Sequence, residues 1–429
     1  MKLKSLHIDS YRHLENISFD FTYPEGHEKA GKPLDKICII GQSATGKTGV
    51  LELIKESFST LNSLEIINGR YLADFYKHNF KGCLEYFAKE DVLKIEQHKV
   101  SIGKIEYIPS PLESSGPINK FLNEDLKLLY LSSEIISKET INIFNQNPID
   151  ITNQLSSEKY VAINRKQNFF KNYVYEFLQN IDPEIWFSLL SKILDYRKRF
   201  TQMASELISK GAIGDMTKLN KQYAKWSGVN ENPLVSFATY FNPILAKLNL
   251  EVDLVNTEYS IPIKSKVNDE VIPVAGLSTG TKGLLLSMFP LFELDTTDAI
   301  ILLDEPERSL FPDMQIDLIN HYQNIAPDAQ FVVVTHSPFI AAAFEPEERF
   351  ILYFDKKGKV AVRRGESPIG DDPNDILSND FNIDYYNDFG KKAYQQYLDL
   401  KRKVSQETQA ERKKELIVEL VGLGDKYNF

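Results

Sequence analysis

Three short apolar runs, each ending in polar or glycine-rich sequence, organise the chain. They are Lys36–Ile40, Ile300–Leu303 and Phe331–Val334, and continuous apolarity over so few residues predicts strands of a covered sheet. A helix follows the first run, with Val50, Leu51, Leu53 and Ile54 as its apolar face. A second apolar helix carries Leu284, Leu285, Leu286, Met288 and Phe289, with Ser278 placed to cap it. Ahead of the first run, Lys4–Ile8 and Ile17–Phe21 predict two strands around the turn-like Ser10–His13, from which Tyr11 or Arg12 could approach a ligand, although a solvated turn explains it as well.

Between these signals the pattern is less regular. Residues 51–135 combine Tyr-, Phe- and Lys-rich helical stretches with strands expected at Lys104–Ile108 and Leu126–Leu131. Residues 136–240 read as mainly helical: Phe169, Tyr173 and Phe177, and then Leu189, Ile193 and Tyr196, fall at helical spacing. No heptad register is sustained, so a compact lobe is expected rather than a long coiled-coil arm. Leu248–Val255, Tyr259–Lys264 and Val271–Val274 predict strands returning the chain to the main sheet, with a turn at Val267–Glu270. Phe350–Phe354 and Val360–Arg364 predict a hairpin around Lys356–Lys359. An acidic, Asn-rich connector then leads to a helical tail with apolar faces at Tyr394, Tyr397, Leu398, Leu400 and at Leu416, Ile417, Leu420, Val421. Arg412, Lys413 and Lys414 between Glu411 and Glu415 have the mixed signs of a solvated helix face. The expected divisions are 1–50, 51–244, 245–364 and 365–429.

The ends of the apolar runs carry the chemistry. The first leads into GQSATGKT, Gly41–Thr48, a glycine-bounded loop between strand and helix that fits the phosphate-binding pattern. Gly41 and Gly46 permit the bend that aims the N–H groups of Gln42, Ser43, Ala44 and Thr45 at an anion. Lys47 is expected to reach the β- and γ-phosphates of ATP, and the Thr48 hydroxyl to bind Mg²⁺. The second run ends in Asp304-Glu305-Pro306-Glu307, carboxylates at the strand end where ligands bind in open α/β sheets. Asp304 is the expected Mg²⁺ ligand and Glu305 the general base on the attacking water. The third run ends at Thr335-His336-Ser337-Pro338, putting His336 beside the acids if the two strands are neighbours. In Leu277-Ser278-Thr279-Gly280-Thr281, Ser278 caps a helix and Gly280 is expected to let a phosphate approach the backbone.

Composition narrows the classes. The 429 residues hold 42% hydrophobic and 26% charged residues, ordinary for a globular chain. With 50 basic and 60 acidic residues the net charge is −10, which excludes a globally basic nucleic-acid coat but not a local groove. Arg165, Lys166, Lys171 with Phe169 and Phe170, and Arg197, Lys198, Arg199 with Phe200, are the candidate basic-aromatic patches, although core aromatics under a solvated face explain them as well. Two cysteines, Cys38 and Cys83, make neither a disulfide framework nor a zinc cluster by themselves. No apolar run approaches the roughly 18 residues of a membrane span, and the N-terminus lacks a signal-type apolar core. A cytoplasmic protein without membrane association is expected.

The order of motifs resembles the ATP-binding cassette (ABC) ATPase superfamily: GQSATGKT as Walker A, LSTGT as signature, ILLDEPE as Walker B and His336 as the switch histidine. The opening strands and the DEPE-x-x-L-x-P and THSP patterns resemble its RecF, SMC and OLD-like branch, and within it the chain is similar to the ATPase subunits of bacterial anti-phage systems (PtuA- or AriA-like). The likeness covers roughly residues 1–48 and 245–345. LSTGT departs from the LSGGQ form, Phe311 stands where the branch often has His, and no Q-loop glutamine is assigned. The resemblance implies an α/β fold: an ABC-type P-loop ATPase sheet with flanking helices, a mostly helical insertion and a C-terminal helical tail. Many relatives carry a TOPRIM nuclease after the ATPase; about 90 residues follow His336 here, without a strand-ending Glu and later D-x-D, so none is expected.

One phosphate loop and one signature per chain imply a head-to-tail homodimer, or a higher homo-oligomer, around ATP and Mg²⁺, with Ser309 and Leu310 crossing the interface as D-loop. The expected function is a Mg-ATP-hydrolysing switch that controls a separately encoded effector, such as a nuclease, in anti-phage defence. The alternative is a RecF/SMC-like ATPase that binds DNA in repair, with nucleic acid as its partner. A transporter subunit fits the insertion and the DEPE pattern poorly.

Overall fold

The computed structural model describes residues 1–66, 80–88, 91–96, 99–107, 127–148, 150–151, 174–181, 183–211, 214–383 and 386–427. They belong to two compact units, Met1–Asp371 and Asp372–Phe429.

In the first unit β1 (Lys2–Tyr11) and β2 (Leu14–Asp20) form an antiparallel hairpin, turning at Arg12, which has φ +54°. β3 (Lys36–Gly41) opens a second sheet and leads into the Lys47–Ile66 helix. β4 (Lys81–Ala88), β5 (Asp91–Glu96), β6 (Lys99–Ile102) and β7 (Ile105–Tyr107) then extend the hairpin into an antiparallel sheet in the order β2-β1-β4-β5-β6-β7. β8 (Leu128–Leu131) and β9 (Val174–Phe177) join the β3 sheet instead. The stretch 51–244, expected as an insertion, thus supplies strands to both sheets. The reason is pairing: β4 lies against β1, and β8 lies parallel to the later strand that ends in Asp304. Phe177, expected on a helix, closes β9; Phe169 and Tyr173, its proposed helical companions, lie outside the described residues, as do Arg165, Lys166, Phe170 and Lys171.

Helices dominate the next stretch: Pro183–Ser209, Met216–Ser227 and Pro233–Ala246. β10 (Leu250–Val252), β11 (Ile263–Ser265) and β12 (Val271–Ile272) are shorter than expected and do not return to the main sheet. Among the described residues they pair only with one another, around the expected turn, so that they form a small sheet of their own.

After the Thr279–Glu293 helix come β13 (Ile300–Asp304), β14 (Gln330–Val334), β15 (Arg349–Phe354) and β16 (Val360–Arg364). The central sheet has the order β16-β15-β3-β14-β13-β8-β9, parallel except for the β15–β16 hairpin. β13, β14 and, past Lys36, β3 are buried throughout, which explains their apolar runs. Their alternate residues face different layers. Ile37, Ile39, Leu302, Val332 and Val334 share one core with Val50, Leu51, Leu53, Ile54 and Phe58 of the Lys47–Ile66 helix and with Leu6, Ile8, Phe19 and Tyr86 of the antiparallel sheet. That helix touches both sheets, its Phe58 ring standing edge-on to Tyr86 at 5.9 Å. On the opposite side an aromatic set joins helices to the sheet: Phe144 meets Trp186 at 5.3 Å and Phe289 at 5.7 Å, and Phe177 meets Trp186 at 5.6 Å.

The second unit centres on the helices Asp388–Gln406 and Ala410–Tyr427, which pack on each other. Asn387 caps the first through the N–H groups of Phe389 and Gly390. Arg412–Glu415 and Lys414–Glu411 pair on an exposed face. No described helix is long and apolar enough to cross a membrane.

Candidate functional site

Parallel strands put their C-terminal ends on one edge of the sheet, and β3, β14 and β13 are neighbours there. The phosphate-loop motif, the histidine and the acidic motif therefore meet, although Thr48 and Asp304 are 256 residues apart in sequence.

The loop between β3 and the helix is shaped by its glycines. Gly41 has φ +147°, and a Cβ there would stand 2.1 Å from the Leu352 carbonyl oxygen of β15. Gly46 has φ +89° and lies under the β1–β2 turn, where a Cβ would meet Leu14 at 2.9 Å and the His13 ring at 3.0 Å. Both positions require glycine for conformation and for space. Ala44 adopts φ +65° as well. Gln42, Ser43 and Ala44 are exposed on the crest, while Thr45 is buried and its hydroxyl donates to the Gln42 carbonyl at 2.7 Å. Lys47 is buried, with its ammonium donating at 2.9 Å to the carbonyls of both Gly41 and Gln42. Burial lowers its pKa to about 8, against the pull of Glu305, Asp304 and Glu307.

The Thr48 hydroxyl donates to Asp304 Oδ1 at 3.3 Å. Asp304 lies at the end of β13, nearly inaccessible, and its pKa rises to about 6 through burial and then through neighbouring Glu305. A hydroxyl facing a carboxylate is a hard oxygen donor pair, the type Mg²⁺ takes together with phosphate oxygens and water. The pair fits that ion. Among the described residues no cluster of three His, Cys, Asp or Glu competes as a metal centre.

Glu305 has φ +47°, and its N–H donates to the Val334 carbonyl at 2.9 Å, the last main-chain bond between β13 and β14. Its Oε1 lies 3.6 Å from His336 Nε2. The pKa of His336 is lowered, first by burial and then by the Lys47 charge, with Glu305 opposing. A neutral imidazole beside a carboxylate, within reach of a buried cation, can handle a water proton next to a phosphate group.

Two residues without an expected role complete this edge. Tyr130 of β8, buried, points its hydroxyl at Asp304 Oδ2 from 3.5 Å. Glu307 is half-buried and accepts from the Thr335 hydroxyl at 2.6 Å and the His336 N–H at 2.9 Å. Glu307 was visible in the DEPE motif, whereas Tyr130 carried no signal, because strand order alone brings β8 beside β13. A further link runs outward. The Ser337 hydroxyl donates to Gln315 Oε1 at 2.6 Å, and Gln315 Nε2 donates to the Leu310 carbonyl at 2.8 Å.

The signature region is built differently. Ser278 caps the Thr279–Glu293 helix as expected, accepting from the Thr281 N–H at 3.1 Å. Gly280 does not present an open backbone to a phosphate. It is buried, and a Cβ there would stand 2.4 Å from the Ser309 carbonyl oxygen and 2.9 Å from Leu310. The glycine serves close packing of the Ser309–Leu310 loop on the helix start. Beside that contact a cleft of about 410 Å³ is lined by Ser132, Glu134, Thr279, Glu305, Arg308 and Ser309, among others.

Other expected residues lie elsewhere. Arg12 pairs with Glu52 at 2.6 Å and stacks over Tyr11, whose hydroxyl reaches Glu56 at 3.5 Å. Arg197 does not belong to a solvent-facing basic groove. It is buried and donates to the Asn256 carbonyl at 2.5 Å, while Tyr196, Phe200 and Trp226 pack together beside it. Arg199 donates to Asn230 at 3.0 Å.

Residues 113–341 match the family model described as an AAA ATPase domain. Among solved structures, an SMC head bound to the C-winged-helix domain of ScpA is 12% identical, with 85% of this chain and 97% of that chain covered at a TM-score of 0.42. The SMC head with an extended coiled coil bound to the C-terminal domain of ScpA, from Pyrococcus furiosus, is 13% identical over 85% and 96%, at 0.40. The SMC head domain from Thermotoga maritima is 10% identical over 86% and 100%, at 0.41. No curated protein matches the chain.

Proposed function

The chain belongs to the AAA ATPase domain family that its residues 113–341 match, and from that premise we propose that it is a Mg-ATP-hydrolysing switch assembled through ATP-bridged dimers and controlling a separate effector. The observation that carries the ATPase reading is the meeting of Lys47, Thr48, Asp304, Glu305 and His336 at one sheet edge, with Thr48 3.3 Å from Asp304 and His336 3.6 Å from Glu305.

Each residue has a separate task. The N–H groups around Gly41–Gly46 and the start of the Lys47–Ile66 helix attract a phosphate. Lys47 exchanges the carbonyls of Gly41 and Gln42 for phosphate oxygens. Thr48 and Asp304 would hold Mg²⁺, which would supply charge neutralisation on the phosphates. Glu305 orients the attacking water and takes its proton. His336 holds the same water or the γ-phosphate from the β14 side. The helix start at Ser278 and the Ser309–Leu310 loop are offered to a second protomer, and exposed Phe311 (75% accessible) next to that loop supports such a contact. The exposed Ile417, Val418 and Val421 of the terminal helix support a further protein contact. Defence against phage as the setting rests on the sequence resemblance alone. Burial of Arg197 removes one support of a DNA-binding reading.

The test is Glu305→Gln. It keeps shape and removes the base, so ATP binding stays within about 3-fold while turnover falls by about 10²–10⁴. Light scattering with Mg-ATP is expected to show a shift to a dimer in this variant. Parent-like turnover overturns the assignment of the base, and a monomer with and without ATP overturns the dimer.

A further inference from the structure

We propose that Glu307 is a positioning residue that fixes the His336 backbone, and with it the imidazole, against Glu305. The proposal rests on the ATPase reading of this edge but concerns a residue that reading leaves without a task.

The need for such a residue follows from where the sheet ends. β13 and β14 are paired in register up to Asp304 and Val334, and the Glu305 N–H to Val334 carbonyl bond closes the ladder. Past that point the chains diverge. β13 enters a tight turn held by Arg308 N–H to Glu305 O at 3.1 Å and Leu310 N–H to Glu307 O at 2.9 Å. On the other chain, Thr335 N–H turns away to the Ile39 carbonyl of β3. The Glu307 side chain crosses the gap between the two turns. One oxygen, Oε1, accepts both the Thr335 hydroxyl and the His336 N–H, at 2.6 and 2.9 Å.

Two bonds to one atom fix the peptide plane before His336, and with it the position of its Cα, from which the side chain departs. The imidazole itself is partly exposed, at 44% of its side chain, and has Glu305 at 3.6 Å as its polar neighbour. Without the carboxylate the ring is tethered only by a solvent-facing contact. The Thr335 hydroxyl is held in turn, since it accepts the Ser337 N–H at 2.9 Å. The second carboxylate oxygen, Oε2, is buried and has no hydrogen-bond partner among the described residues. Among the described residues the Thr335 and His336 bonds both go to one oxygen, so an acceptor at that position is what His336 requires.

That requirement supplies the test. Glu307→Gln retains an oxygen in the Oε1 position; Glu307→Leu removes it at similar volume. The chain has 7 histidines, so protein with ¹⁵N-labelled histidine gives few amide signals, and His336→Asn identifies the one wanted. In parent and Glu307→Gln the His336 amide is expected to exchange slowly with solvent, and in Glu307→Leu at least about 10-fold faster. In ATP turnover, Glu307→Leu is expected to lower kcat about 10–100-fold with KM nearly unchanged, and Glu307→Gln to recover most of that loss. If Glu307→Leu does not fold, Thr335→Val, which removes the hydroxyl that donates to Glu307 and accepts the Ser337 N–H, takes its place with a smaller loss in kcat. Unchanged amide exchange in Glu307→Leu overturns the proposal, and so does an equal loss of kcat in the Gln and Leu variants. A parent protein that does not hydrolyse ATP counts against the ATPase reading alone, because the exchange measurement still decides the role of Glu307.

Discussion

The edge formed by β3, β14 and β13 and the start of the Thr279–Glu293 helix both carry nucleotide-type sequence motifs, yet they are finished to different degrees within one chain. At the sheet edge Thr48 meets Asp304 and Glu305 meets His336, while Lys47 bonds the carbonyls of its own loop. At the helix start the cap is in place, but the glycine that was to face a phosphate is covered by the Ser309 carbonyl. A glycine in a motif therefore records close approach of something to the backbone, without saying what approaches. At Gly41 it is Leu352, at Gly46 it is His13 and Leu14, and at Gly280 it is a loop of the same chain.

Breaking the sheet edge is expected to have the largest effect. Lys47→Ala removes the buried cation facing Glu305 and Asp304. Nucleotide affinity, measured by calorimetry, is expected to fall at least about 100-fold, with the fold retained. Gly280→Ala addresses the helix start. In an open helix the change stabilises by up to about 1 kcal/mol. Here the new methyl meets a backbone carbonyl at 2.4 Å, so a net loss of about 1–3 kcal/mol is expected in denaturant unfolding. Nucleotide affinity of the single protomer is expected to stay near that of the parent. A stabilised variant means that Ser309 does not rest on Gly280 in solution, and the contrast between the two regions dissolves.

The smallest effect is a pH dependence at the sheet edge. Burial brings Lys47 to about 8, and a bound phosphate raises that value by favouring the ammonium form. Binding at or above pH 8 is therefore expected to take up a proton. Affinity weakens as pH rises from 8 toward the bound-state pKa, approaching a tenfold loss per unit, and is flat below about 7. Calorimetry in buffers of different ionisation enthalpy measures the uptake. Affinity that is flat to pH 10 means an ordinary, well-solvated lysine.

The same contrast explains what could be read from the sequence. β3, β13 and β14 were legible because burial on both faces leaves an unbroken apolar run, and the motifs at their ends depend on local chain geometry. The hairpin of β15 and β16 was legible for a similar reason, with the apolar run of β15 followed by the turn at Asp355–Lys359. Long-range pairing was not legible. Nothing local states that β4 continues the β1 sheet, that β8 and β9 complete the central one, or that β10–β12 stand apart. Tyr130 was given no role, and Arg197 was read only as part of a surface-facing basic triplet, for that reason. A tyrosine in a short strand becomes part of the site only through its neighbour β13, and an arginine in a basic triplet becomes a core residue only once Asn256 folds over it.

Gln315 stands between the loop that carries His336 and the loop that contacts Gly280. It accepts from Ser337 with one end of its amide and donates to Leu310 with the other. An amide so placed has a direction: oxygen inward, nitrogen outward. A carboxylate in its place sets two acceptors where an acceptor and a donor are needed, and turns the Leu310 carbonyl from a partner into a repelling neighbour. The two loops are thus joined by a part that fits only one way round, and a single atom exchanged at that position is enough to uncouple them.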